Sequence, residues 1–461
     1  MMLKKIVLII LCNYTIAFGQ KFPKQAVQDD LNDLYYTLQQ AHYDLYAYQN
    51  KLSYDSLYIT LKSSLTHDSL NLLETVSLYQ HLVSFANTGH CEIDFPAASY
   101  IEYLQSGGTV FPLELSFENN RTFIRKNFSS IKESIEGDEL ISIDGIGINS
   151  IQTELYPLIS AERAYFKNAK LEFWSFPRIY FQRYGNKESW IIELINKNGQ
   201  IKELTVRAIA AIAYEEKRGG EIINPKRSLQ FYGSTAYLNP GMMSSAQSEG
   251  FEIYQKEIAG AFEKIKRQGS KDLIIDLRNN PGGDDAYSNF LISYFAKKPF
   301  KWYSKFSVKT SKILKEHVRK PTDTLESFSQ VLLGNKDGKI ISFDFPAYQP
   351  VEKSKRFTGQ IYVLVNRQTY SMAAVSAALI QDYQFGIIVG EETGDTPTLY
   401  ASQFAFRLPR TSITVKVPKG YIIRPNGDES LKGLVPDINI QDHLLDEKDE
   451  ILEGLLARIK R

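Results

Sequence analysis

One stretch constrains this chain more than any other: Lys271-Asp-Leu-Ile-Ile-Asp-Leu-Arg-Asn-Asn-Pro-Gly-Gly-Asp284. Its first half, Leu273 to Leu277, has the length and apolar composition of a buried strand. Asn-Asn-Pro-Gly-Gly then breaks the run, and two adjacent glycines free the backbone for positive φ and close approach. Residues 286–295 read as a helix. A strand that ends in such a turn and enters a helix converges backbone N–H groups on one point, which is how a protein stabilises an oxyanion. Taken alone, the same Gly-Gly also fits a plain strand-to-helix connection.

With 461 residues the chain is too long for one ordinary core, so two or three domains are expected. A content of 43% hydrophobic and 23% charged residues is that of a globular protein. The formal net charge of +1 gives no sign of a nucleic-acid partner. The N-terminus reads as an export signal: Lys4 and Lys5, an apolar Ile6–Leu11, then Ala17-Phe18-Gly19 with cleavage before Gln20. The apolar run is too short to span a membrane. Cys12 raises a lipoprotein as the less favoured option, because Leu11 is large where a lipobox takes a small residue. Cleavage would leave Cys91 as the sole cysteine, with no intramolecular disulfide, and a chain bound for the periplasm or an outer envelope surface.

In order, residues 1–19 are the signal, and 20–100 form a helical N-terminal domain, from recurrences such as Val27, Leu31, Leu34 and Leu38. Ser53 and Asp68 are the expected helix caps. Residues 101–208 read as strands, with turns at Glu136-Gly137-Asp138 and Asp144-Gly145 and a closing hairpin, Trp190–Ile195 with Ile201–Val206. The segment 131–151 resembles that of a PDZ domain, for whose carboxylate-binding loop Gly107-Gly108-Thr-Val-Phe111 is the nearest candidate; residues 154–187 are a longer, aromatic insertion. Residues 208–226 read as a linker and 300–355 as an excursion or lid. Residues 209–445 alternate strand and helix, which implies an α/β core with largely parallel pairing. Residues 446–461 read as a C-terminal helix.

Ser371 follows the buried run Ile361–Val365 and opens the helix Met372–Asp382. A hydroxyl there sits near orphan N–H groups, yet an ordinary Ser cap fits as well. It is not in a Gly-x-Ser-x-Gly elbow. The order Leu-Ile-Ile-Asp-Leu-Arg-Asn-Asn-Pro-Gly-Gly, Thr-Tyr-Ser-Met-Ala-Ala, Ile388-Val-Gly-Glu-Glu-Thr-Gly394 and Gly433-Leu-Val-Pro-Asp437 resembles the carboxyl-terminal processing (tail-specific) serine peptidases. The resemblance implies a multidomain α/β fold: a crotonase-like (ClpP/crotonase) core with the helical domain and the PDZ-like module. It also implies a polypeptide substrate. One branch of that family pairs Ser with a Lys after a Gly-x-x-Thr-x-Gly turn; here Gly390-Glu-Glu-Thr-Gly-Asp-Thr396 has none, and Lys416 and Lys419 are the nearest. The tricorn-core-like branch uses an early His and a late Glu. The resemblance then assigns Ser371 as nucleophile, His90 as base, Glu429 as its supporting acid, and the N–H groups of Gly282, Gly283 and Met372 as the oxyanion hole. Met372 replaces a usual small residue and Thr88 a usual Asp, which leaves open an inactive peptide-binding scaffold; a Ser–Lys dyad through Lys416 or Lys419 is the third option. No metal or cofactor is expected; Asp284-Asp285 lacks a partner cluster and reads as solvated turn acids.

Overall fold

A computed structural model describes residues 21–219, 226–244, 250–318, 326–446 and 448–459. The expected export signal lies outside these residues. Among them, no helix is long and apolar enough to cross a membrane.

The apolar runs pair as their composition demands. Asp272–Asp276 lies parallel between Thr235–Asn239 and Gln360–Val365, and the latter pairs in parallel with Ile387–Gly390. Ser228–Tyr232 adds an antiparallel edge and Ile438–Asn439 a parallel one, making six strands. Both faces of this sheet are covered, which is why its central strands are apolar on successive residues. Leu273 and Ile275 join the main core, while Ile274 packs on the other face with Ile451 and Leu455 of the C-terminal helix Glu450–Ile459.

The N-terminal helices Lys24–Ala41, Lys51–Ser63 and Leu72–Ser84 form at the expected spacing. They share one continuous core with the α/β part, Leu31, Leu34 and Leu82 lying in the cluster that holds Val363 and Leu379, rather than keeping a core of their own. Two caps differ from expectation. Asn50 caps the second helix, its Oδ1 accepting the Ser53 N–H at 2.8 Å. Asn71 caps the third through a reciprocal box with Glu74. In both cases an Asn three residues ahead of an acceptable N3 residue outcompetes the Ser and Asp read from the sequence.

Strands Leu113–Glu118, Arg121–Asn127, Glu139–Ile143, Ser189–Ile195 and Ile201–Arg207 make an antiparallel sheet with a separate core around Trp190 and Leu140. The aromatic insertion adds two helices, Ala164–Trp174 and Phe176–Tyr184. The expected linker is in part a packed helix, Ala211–Arg218, held by the fully buried Tyr214. The expected lid is also built in. Lys305–Lys309 and Ile340–Phe343 join Leu399–Arg407 and Thr414–Ile423 in a four-stranded antiparallel sheet. Its lysine-rich composition masked the alternation of Phe306 and Val308 into the core.

Candidate active site

Two parallel neighbours deliver Ser371 and the glycine turn to one place. Because Asp272–Asp276 and Gln360–Val365 pair in register, the loops after them leave the sheet side by side at its carboxyl end. Asn279 and Asn366 lock the loops together: the Asn279 N–H donates to Asn366 Oδ1 at 3.1 Å, and Asn366 Nδ2 donates to Asn279 Oδ1 at 2.8 Å. The Tyr370 N–H donates to Asn280 O at 3.0 Å, one residue before Ser371.

Ser371 itself has φ 53° and ψ −128° and makes no side-chain cap bond. That removes the simple cap reading. A cap bond contributes about 1 kcal/mol, whereas a non-glycine residue in such a region costs on the order of 1–3 kcal/mol. The strain turns the hydroxyl away from its own helix. Its Oγ lies 3.0 Å from His90 Nε2.

His90 reaches this point from the end of the helix Leu72–Ser84. Asn87 turns the chain with φ 50°, and the Cys91 N–H donates to Thr88 O at 3.0 Å. Glu92 then pairs with Lys416 by an isolated antiparallel bridge, and Gln403 Nε2 donates to His90 O at 2.7 Å. The imidazole stacks on Tyr370, ring centroids 4.9 Å apart. Tyr370 Oη donates to Gly89 O at 3.0 Å, tying the two loops directly. Thr88 is not idle where the resemblance expects Asp: its Oγ1 lies 3.0 Å from His42 Nε2.

Burial, with Lys170 and Lys416 nearby, pushes the His90 pKa down to about 3, so the ring is neutral near neutrality. A neutral imidazole beside a hydroxyl can take its proton. Of the expected oxyanion donors, the Gly282 N–H is already taken by Asn280 Oδ1 at 2.9 Å. The N–H groups of Gly283 and Met372 donate to no acceptor among the described residues. Gly282 has a different task. With φ +79°, an added Cβ would lie 2.5 Å from Met372 N and 2.8 Å from Tyr370 O, so only glycine lets the two loops touch.

Residues 240–440 match the family model of peptidase family S41. Over that stretch, which holds the glycine turn and Ser371, the chain is similar to peptidase family S41. That family consists of serine peptidases, hydrolases acting on peptide bonds. A tail-specific protease of Haemophilus influenzae is 29% identical over 125 residues, 24% of this chain. The match spans about a fifth of that relative's length, 18% of it. Among solved structures, mature CPAF superposes with a TM-score of 0.64 at 15% identity, covering 95% of this chain and 96% of that one. Mature CPAF complexed with lactacystin gives the same TM-score and identity over 95% and 98%. At such identity the likeness is one of fold.

Within this stretch and its neighbours, the expected Glu429 does not reach His90. Its Oε2 accepts the Tyr421 hydroxyl at 2.9 Å, and it sits on an exposed loop. His90 Nδ1 is buried with no hydrogen-bond partner. Nor do the two lysines reach Ser371. Lys416 Nζ pairs with Asp94 at 2.6 Å, and Lys419 Nζ donates to Ser402 O at 3.0 Å. The expected carboxylate-binding loop is also closed. The Gly107, Gly108 and Thr109 N–H groups donate to Leu104 O, Tyr103 O and the Tyr103 hydroxyl, so these three do not face a peptide terminus.

Sequence reasoning missed what holds the loops in place. The Arg367 side chain, only 5% exposed, donates to Glu172 Oε2 and Glu391 Oε1, both at 2.8 Å. Gln368 Nε2 also donates to Glu172 Oε2, at 2.6 Å. Glu172 lies on the insertion helix Ala164–Trp174, so the insertion braces the loop that carries Ser371. Arg163 does the same for the turn after Ile387–Gly390, bonding Glu392 at 2.5 Å and the carbonyls of Thr393 and Gly394 at 3.0 Å. The one available signal was the aromatic richness and length of that insertion.

Proposed function

We propose that this chain is an exported serine-type endopeptidase of the tail-specific kind, with Ser371 as nucleophile and His90 as general base. The observation that carries the reading is the 3.0 Å contact between His90 Nε2 and the Oγ of a positive-φ serine. A serine hydroxyl is too weakly acidic to attack an amide unaided and needs a base at this distance. Ser371 Oγ adds to the peptide carbonyl as its proton passes to Nε2. The carbonyl oxygen becomes an oxyanion facing the Gly283 and Met372 N–H groups. The proton then goes to the leaving amine, and water, deprotonated by the same ring, releases the acyl group.

In this reading the six-stranded part is a crotonase-like core, and the antiparallel sheet of residues 113–207 is a PDZ-like module. With its expected carboxylate loop closed, the module's role is to brace the site through Glu172 and Arg163 rather than to capture peptide tails at that loop. The N-terminal segment, read as an export signal, supports a mature chain in the periplasm or on an outer envelope surface.

One observation favours a second reading, a non-catalytic peptide-binding scaffold: the orphaned His90 Nδ1, which no carboxylate supports. Incubation with a denatured, fluorescently labelled polypeptide separates the two. The peptidase reading predicts new fragments from the wild type and a loss of at least about 10³-fold in Ser371→Ala, as removal of a nucleophile does. Equal cleavage by both proteins, or binding without cleavage by either, would overturn it.

A further inference from the structure

The hydrogen bond between His90 and Ser371 joins residues 281 positions apart, and both lie on irregular loops. Something must fix each loop to a fraction of an ångström. Two buried carboxyl groups stand at the right places. The Gly89 N–H, adjacent to His90, donates to Glu162 Oε1 at 2.6 Å. The Ser371 N–H donates to Asp395 Oδ2 at 2.7 Å. Asp395 is fully buried, and its other oxygen accepts the Thr396 N–H at 2.9 Å. Glu162 Oε2 is buried with no partner.

Resting on the serine-peptidase reading, we propose that Glu162 and Asp395 are paired positioning residues: each grips the backbone N–H of one half of the site and so sets the distance between the imidazole and the hydroxyl. Both bonds, at 2.6 and 2.7 Å, lie at the short end of the N–H···O range. Burying two carboxyl groups is costly, and a fold that needed only stability would fill the space with apolar side chains. Asp395 has a second effect. It takes the Ser371 N–H out of use, which holds that residue in its strained conformation and leaves the oxyanion to Gly283 and Met372. Burial raises both carboxyl groups above their ordinary range, and the neighbouring Glu162 adds to the rise of Asp395. What each N–H meets is one acceptor oxygen, which an amide also supplies, so Gln and Asn should substitute.

Four variants test this: Glu162→Ala, Glu162→Gln, Asp395→Ala and Asp395→Asn. The alanine variants should lose about 10²-fold in kcat with little change in KM, the usual cost of a small misplacement of reacting groups. Glu162→Gln keeps the oxygen facing Gly89 and should stay within about tenfold of wild type; Asp395→Asn keeps the Ser371 acceptor and should recover most of the loss. Crystal structures of the alanine variants should show the His90 Nε2–Ser371 Oγ contact broken and the amide variants should keep it. An intact contact in both alanine variants would overturn the proposal, as would kcat losses that only track the unfolded fraction in a melting curve. Because the contact is read without turnover, a broken contact in an enzyme that cleaves nothing would count against the peptidase reading and not against the positioning role.

Discussion

A single imidazole decides how this site should respond to acid. An ordinary histidine has a pKa near 6.5, but His90 is held down to about 3 by burial and by the two lysines. A general base works in its neutral form, which predominates above its pKa. Lowering that pKa therefore extends activity toward acid. We expect kcat/KM to stay level from about pH 8 to about pH 5, where an unperturbed histidine base would already have lost more than nine-tenths of it. A fall centred near 6.5 in a pH–rate profile, with the protein still folded, would contradict this. The stability linkage has the same sign. The unfolded ring takes up a proton before the folded one, so stability contributed by neutral His90 and His42 is lost as pH falls from about 6.5 toward about 3. Ser371 and His90 were expected together from the resemblance, through Thr-Tyr-Ser-Met-Ala-Ala and Thr-Gly-His, and their side chains do meet. Glu162 and Asp395 were not, because they act on backbone N–H groups, and any carboxylate brought there by the fold would do. Glu429 was a reading from order alone, and its carboxylate bonds Tyr421 instead.

At the scale of elements, the pivotal strand and turn behave as the sequence implies. Leu-Ile-Ile-Asp-Leu is buried on both faces, and the turn after it needs its glycines for different reasons. Gly283 has φ +138°, and an added Cβ would lie 2.0 Å from Met243 O and 2.5 Å from its carbonyl carbon. Gly283→Ala must therefore shift the turn or the Met243 segment, moving one of the two open oxyanion donors. We expect kcat to fall by about 10²-fold, as on removing an oxyanion-hole donor. The check is steady-state kinetics beside a thermal melt, and wild-type turnover would show that the Gly283 N–H plays no part. Helices and strands with strong periodicity were legible to within one or two residues; the helix Met372–Asp382 matches its expectation. Tyr214 and the strand Lys305–Lys309 were missed, because charged and small residues around them hid the buried positions.

For the whole molecule, the central fact is that three segments far apart in sequence build one notch. The N-terminal helices contribute His90, the glycine turn and the nucleophile come from neighbouring strands of the core, and the insertion supplies Glu172, Arg163 and Glu162 to brace them. A chain trimmed of its residues 113–207 sheet would lose those braces, so under the proposed function the antiparallel module belongs to the site and is not an appendage. The most direct measurement is intact-mass and peptide mapping of the full chain after reaction with a fluorophosphonate probe. The account predicts one adduct per chain, on Ser371, absent in Ser371→Ala and formed at least about 10²-fold more slowly in His90→Ala, the usual weight of a general base. Adducts on another residue, or equal labelling of wild type and Ser371→Ala, would contradict it.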